Sequence, residues 1–125
     1  MIHSLSGELK QKKGRFLIIG IGGVDFRVMV PATSETKLPK IGDKVMVYTH
    51  LHIREGGADL YGFLTEEELG FFESLVSVSG IGPKSAVSIL SVAPVEQLMT
   101  AVSRGEAELL QKTSGIGRKT AERIV

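Results

Sequence analysis

Residues 79–86 read Ser-Gly-Ile-Gly-Pro-Lys-Ser-Ala, and 35 residues later residues 114–121 read Ser-Gly-Ile-Gly-Arg-Lys-Thr-Ala. The register of the repeat runs on, with Ile89 over Ile124 and Leu90 over Val125. An apolar-periodic segment precedes each copy: Leu69, Phe72, Leu75 and Val76 before the first, Ala107, Leu109 and Leu110 before the second. A second helical pattern follows each. The chain is thereby constrained to fold as helix, tight turn, helix, twice over. Glycines 80 and 82, and again 115 and 117, leave positive φ open on both sides of one isoleucine, and no side chain there keeps a ligand from the backbone. Pro83 suits the first position of a helix, where no N–H is needed, which makes Gly82 the N-cap. Ile81 and Ile116 are expected to plug the space between the two helices of each unit.

A helix start with free N–H groups and the positive end of its dipole is an anion site. Lys84 and Ser85 in the first copy, and Arg118, Lys119 and Thr120 in the second, add cations and hydroxyls beside it. With the bare backbone of Gly80, Gly82, Gly115 and Gly117, these residues form the candidate site, and a backbone phosphate is the ligand they suit. A nucleotide-binding P-loop is excluded, because it requires glycine immediately before the Lys-Ser/Thr pair, where this chain has Pro83 and Arg118. Paired Gly-Ile-Gly turns of this form resemble helix-hairpin-helix motifs, which bind nucleic-acid backbones without reading sequence. One such turn would be weak testimony; two with lysine and a hydroxyl in matching places are specific.

Upstream of the repeat the periodicity changes to two. Val24, Phe26, Val28 and Val30 alternate with Asp25, Arg27 and Met29, while Val45, Val47, Thr49, Leu51 and Ile53 alternate with Lys44, Met46, Tyr48, His50 and His52. Phe16–Ile21 is a further run, joined to Val24 by a Gly22-Gly23 hairpin signal. Residues 4–11 and 59–63 supply two more, and residues 33–42 a longer excursion between strands. Five strands in about 60 residues, with no room for long crossovers, predict an all-β barrel of OB-fold type over residues 1–64. Residues 65–125 are predicted to be all-α with the two hairpins. Thr65 and Glu68 form a capping box that absorbs the acidic run of Glu66, Glu67 and Glu68 as a helix start. Pro94 opens another helix through about Ser103, ended near Gly105. The chain stops at Val125 inside a helical pattern without a C-cap, the expected look of one trimmed before its natural end.

The net charge of +1 hides an asymmetry. Residues 1–64 carry nine Lys and Arg against six Asp and Glu; residues 65–125 carry six against eight. Neither half is a basic tail, so nucleic-acid binding has to come from placed contacts. No cysteine is present, which excludes disulfides and thiolate metal sites. The N-terminus has no signal-peptide pattern and the longest apolar run, residues 16–23, is too short for a bilayer, so a cytoplasmic protein without membrane attachment is expected. His50 and His52 share a strand face, but with His3 the only other histidine a four-ligand zinc site is not assembled, and no metal or cofactor is expected. Lys10, Lys12, Lys13 and Arg15 read as a phosphate-contacting cluster or as a solvated turn, the second favoured because short basic runs are common.

In order, the barrel opening Met1-Ile2, the Tyr48-Thr49-His50 strand, Arg54-Glu55 leading to Leu60-Tyr61-Gly62-Phe63, and the closing Gly117-Arg118-Lys119-Thr120-Ala121-Glu122-Arg123 are similar throughout to the RuvA family of Holliday-junction-binding subunits. That resemblance implies structure-specific, sequence-independent binding of four-way DNA junctions, in recombination, repair and the SOS response to DNA damage, by a non-catalytic subunit. It implies a homotetramer, with an octamer on DNA as the alternative, and a RuvB-type ATPase motor engaged through a C-terminal domain outside these residues. A RuvC-type resolvase is a further implied partner. The hairpins around Gly80–Gly82 and Gly115–Gly117 would hold arm phosphates, and Glu55 would be the first acid of a central acidic pin. Typical members carry a second acid next to it; here Gly56 stands there, and Asp59 three positions on is the candidate replacement. Two other classes fit less well. A base-excision glycosylase needs aromatics for a flipped base, and residues 65–125 offer only Phe71 and Phe72, on a core-facing helical pattern. A single-strand-binding barrel needs stacking platforms, and Phe16, Phe26, Tyr48, Tyr61 and Phe63 are few and read as mostly inward.

Overall fold

The computed structural model describes residues 1–113 and 115–125; Ser114, part of the second copy of the repeat, lies outside the described residues. The β-branched and alternating runs form five strands: β1 (Ser4–Lys13), β2 (Phe16–Ile21), β3 (Val24–Met29), β4 (Lys44–Arg54) and β5 (Gly57–Phe63). They close into a barrel in the order β1-β2-β3-β5-β4, with β4 returning to β1. Closure removes the exposed edges that a small open sheet would present. The expected five-stranded OB-type barrel is the fold found. Its connections explain it. Gly22 and Gly23, both at positive φ, turn β2 directly into β3, while the excursion after β3 is wound as a 3-10 turn over Ala32–Lys37.

One long strand does the closing. Residues 4–8 of β1 pair with β4 and residues 8–13 pair with β2, with a register shift between Leu9 and Gln11. An extra residue of this kind bends the strand and raises its twist, which lets one strand serve two neighbours around a corner. On the other side β3 and β5 run parallel, Val28 beside Leu60 and Met29 beside Tyr61. The interior is aliphatic: Leu5, Leu9, Leu17, Ile19, Val28, Val30, Val45 and Val47 are all buried in one cluster. Thr49 is also buried and satisfied: its Oγ1 donates to the Ile2 carbonyl at 2.6 Å, and its N–H to that of His3 at 2.8 Å. The N-terminus is thereby fastened to the middle of β4.

The aromatic side chains depart from the inward expectation. Tyr61 pairs with His50 and Phe63 with Tyr48 across β4 and β5. Directly opposed residues share a face, so both lie on the side away from Val47 and Thr49, outside the barrel. Both are nevertheless buried, 1% and 0% exposed. Phe26, opposite Ile19, does pack against the barrel core, whereas Phe16 is half-buried under the guanidinium of Arg27 at 5.0 Å.

The chain divides into two compact units, Met1–Leu69 and Gly70–Val125. Among the described residues five helices follow the barrel: α1 (Glu66–Val76), α2 (Pro83–Leu90), α3 (Val95–Ser103), α4 (Glu108–Gln111) and α5 (Arg118–Ile124). Thr65 caps α1 as expected, the Glu68 N–H donating to Thr65 Oγ1 at 3.2 Å and that hydroxyl donating to Glu68 Oε1 at 3.3 Å. In the second unit Phe72, Leu75, Ile89, Leu90, Leu98 and Leu110 are fully buried. The two halves of the repeat are unequal before their turns, since α1 has eleven residues and α4 a single turn of four. Among the described residues no single helix is long and apolar enough to cross a membrane.

Burial raises the Tyr61 phenol above its ordinary value, the Asp59 carboxylate acts in the same direction, and Arg54 opposes them. A phenol whose folded pKa is raised contributes stability that is fully present below the unfolded value of about 10 and is lost as pH rises through the folded one. The midpoint of urea denaturation is therefore expected to fall once pH passes about 10. Tyr61→Phe should flatten that alkaline limb; an unchanged slope in the variant would place the titrating group elsewhere.

Candidate nucleic-acid interface

The two turns are built by the same hydrogen bonds. In the first, Val78 donates to Leu75, Ile81 to Val78 and Ala86 to Gly82, at 3.0, 3.1 and 3.0 Å. In the second, Thr113 donates to Leu110, Ile116 to Thr113 and Ala121 to Gly117, at 3.1, 3.1 and 3.0 Å. Gly80 and Gly115 both have φ of 87°, in the left-handed region where a side chain is strained. Ile81 and Ile116, 4% and 6% exposed, are buried as plugs.

The expectation of positive φ on both sides of the isoleucine holds only for the first glycine. Gly82 (φ −91°, ψ 173°) and Gly117 (φ −85°, ψ 178°) are extended, a conformation open to any residue. A Cβ built at either would meet nothing within 4 Å. Neither backbone torsion nor packing calls for glycine at these two positions. What glycine supplies there is uncovered backbone at the mouth of a helix.

Gly82 and Gly117 are the N-caps of α2 and α5, and neither start has a side-chain capping bond. The first N–H groups of a helix have no partner within it. In α2 those of Lys84 and Ser85 are left, Pro83 having none; in α5 those of Arg118, Lys119 and Thr120 are left. Lys84, Arg118 and Lys119 are exposed at these starts, with the half-buried Ser85 and Thr120 beside them. Arg118 Nε reaches Glu122 Oε1 at 3.0 Å, an exposed pair of the weakly held kind that a phosphate can displace. One participant lies outside the sequence expectation. Arg123 on α5 donates from Nη1 to the Ser79 carbonyl at 3.2 Å, tying the helix of the second hairpin to the loop of the first. A bond spanning 44 residues leaves no local signal in the sequence.

The other candidate residues sit on the barrel. Arg54 and Gly57 face each other at the ends of β4 and β5, so Glu55 and Gly56 are the whole turn. Gly56 has φ of 86°, and Glu55 stands exposed at the tip. Asp59 is not at the tip. It lies on β5 opposite His52 and accepts two bonds from Arg54, Nε to Oδ2 at 2.9 Å and Nη2 to Oδ1 at 3.5 Å. The hydrogen bond and the charge of Asp59 raise the Arg54 pKa further above its ordinary value. Of the basic run, Lys10 pairs with Asp25 at 3.2 Å, and Lys12 and Lys13 are exposed beside the β1–β2 turn. Among the described residues no three His, Asp or Glu side chains converge as a metal site would require.

The profile described as "RuvA N terminal domain" matches residues 1–62, and that described as "SAM-like Helix-hairpin-helix tandem" matches residues 72–125. Three proteins named Holliday junction branch migration complex subunit RuvA align with all 125 residues of the chain. The one from Dehalococcoides mccartyi is 47% identical, that from Caldanaerobacter subterraneus 42%, and that from Solibacter usitatus 45%. The chain spans 64%, 67% and 64% of their respective lengths. With a closed five-stranded barrel, two matching hairpins and this identity along its whole length, the chain belongs to the RuvA family.

Proposed function

We propose that this chain binds four-way Holliday junctions by their sugar-phosphate backbones, selecting junction shape and not base sequence. It would serve as the non-catalytic DNA-binding subunit of a branch-migration complex in recombination, repair and the SOS response, in the cytoplasm. The observation that carries this is the repetition of one hairpin with the same bonds and torsions, each ending in an uncapped, uncovered helix start with a lysine and a hydroxyl at its rim. The relatives, named as subunits of a Holliday junction branch migration complex, support it. A phosphate oxygen would accept from the N–H groups of Lys84 and Ser85 at one hairpin, and of Arg118, Lys119 and Thr120 at the other. The Lys84 and Lys119 side chains would add charge. Such contacts position a duplex and carry no sequence information.

The assembly we propose is a homotetramer, with an octamer as its DNA-bound alternative, in which four duplex arms cross one face. Glu55 would stand at the centre as an acidic pin, Asp59 being the second acid of the same hairpin. A RuvB-type ATPase motor would be engaged by a part of the protein outside these residues, and a RuvC-type resolvase would be a further partner on the same junction.

Gel-shift competition tests the central claim. A four-way junction should outcompete linear duplex of equal length, with no dependence on base sequence, and binding should weaken steeply with salt as condensed counterions are released. Equal affinity for the two DNA forms across a salt titration would overturn the proposal.

The glycines separate binding from folding. Gly82→Val and Gly117→Val replace an N-cap glycine in open space, so stability should change by no more than about 1 kcal/mol, while junction affinity falls at least about tenfold as phosphate approach is blocked. Gly80→Ala and Gly115→Ala, at positive φ, should each cost about 1–2 kcal/mol of stability. Native affinity in both valine variants would make the hairpins purely structural.

Removing one cation at a time gives a finer reading. Lys84→Ala and Lys119→Ala should each weaken binding uniformly across sequences, and reduce the slope of log affinity against log salt by about one for each phosphate left unneutralised. A slope identical to wild type in both variants would show that neither lysine meets a phosphate.

A further inference from the structure

We infer that Asp59 is a specificity-determining residue that acts through Arg54: by holding the guanidinium along β5 it leaves Glu55 as the uncompensated charge of the β4–β5 tip. This rests on the proposed role of that tip in discriminating junction from duplex.

An arginine adjoins the proposed acidic tip, and an unengaged guanidinium there would work against it in two ways. It would neutralise Glu55, and it would offer a phosphate-binding fork to any duplex crossing the centre. Arg54 is half exposed, with its Nη1 already 3.5 Å from the Glu55 carbonyl. The two bonds it donates to Asp59 draw it the other way. The fork folds back over the hairpin base, where a Cβ on Gly57 would lie 3.4 Å from Nη2. A two-point pair of this geometry fixes orientation as well as charge.

The same arrangement accounts for Gly56. A second acid directly after Glu55 would occupy φ of 86°, which favours glycine. With the acid moved to position 59 the turn keeps its glycine, and the hairpin keeps one net negative charge among Arg54, Glu55 and Asp59. Asp59 therefore supplies the missing acidity by cancelling a cation, without itself standing at the tip.

The test is the ratio of duplex to junction dissociation constants at fixed salt. It is measured for wild type, Glu55→Gln, Asp59→Asn, Arg54→Gln and the double variant Arg54→Gln/Asp59→Asn, each checked for native circular dichroism. Asp59→Asn should lower the ratio about threefold to tenfold and steepen the duplex salt slope by about 0.9 for each arginine that engages a phosphate. The double variant should return the ratio to the wild-type value, because no arginine is left to release. Arg54→Gln alone should raise it, which keeps the inference testable if Asp59→Asn fails to fold. A ratio lowered by Glu55→Gln but unmoved by Asp59→Asn and Arg54→Gln overturns the inference and leaves the tip's role standing. A double variant as unselective as Asp59→Asn also overturns it, since Asp59 would then act on the shape of the hairpin. A ratio moved by none of the variants removes the tip's role, and the inference with it.

Discussion

A helix that begins without a capping side chain leaves backbone donors facing solvent, and this chain does so twice in the same way. In α1 a side chain caps the first turn, Thr65 Oγ1 accepting from the Glu68 N–H. In α2 and α5 the cap is glycine, and no side chain caps the donors. The contrast costs little, since glycine at an N-cap is only roughly a few tenths of a kcal/mol less favourable than serine, threonine, aspartate or asparagine. A capping oxygen would also occupy the space where an anion sits. The rest of the helical unit serves these openings: the buried isoleucines hold each turn against its helices, and the left-handed glycines bring the chain round sharply enough to expose the helix mouth.

Much of this was legible in the sequence, for reasons that differ by element. The strands announced themselves through β-branched alternation, and Gly22-Gly23 marked a turn whose torsions only glycine adopts readily. The hairpins were legible because their chemistry is local: Gly, Ile, Gly, a hydroxyl and lysine within eight positions determine the turn, its plug and its rim. What was not legible is whatever depends on register or on distant partners. Tyr61 and Phe63 look inward by their apolarity, but pairing with His50 and Tyr48 puts them on the barrel's outer side. The roles of Gly80 and Gly82 look alike in sequence and differ in the structure, one being a torsional requirement and the other bare space. Arg123 acts through a contact 44 residues away, and the strand register sets Asp59 on β5 against Arg54 and not at the tip.

The barrel and the helical unit answer different physical demands. The barrel's aliphatic interior and closed hydrogen-bond circuit leave the β4–β5 turn free to vary, since it contributes nothing to the core cluster. That freedom is what allows the β4–β5 turn to be two residues long and to present Glu55 without a supporting loop. Fastening the N-terminus to Thr49 steadies the strand from which that turn projects.

The proline at the mouth of α2 has a consequence beyond helix initiation. Its counterpart in α5 is Arg118, so one hairpin offers two backbone donors and a lysine where the other offers three and a second cation. In the proposed binding mode the two hairpins would therefore hold phosphate with unequal strength, and the difference in backbone donors comes down to a single ring of atoms.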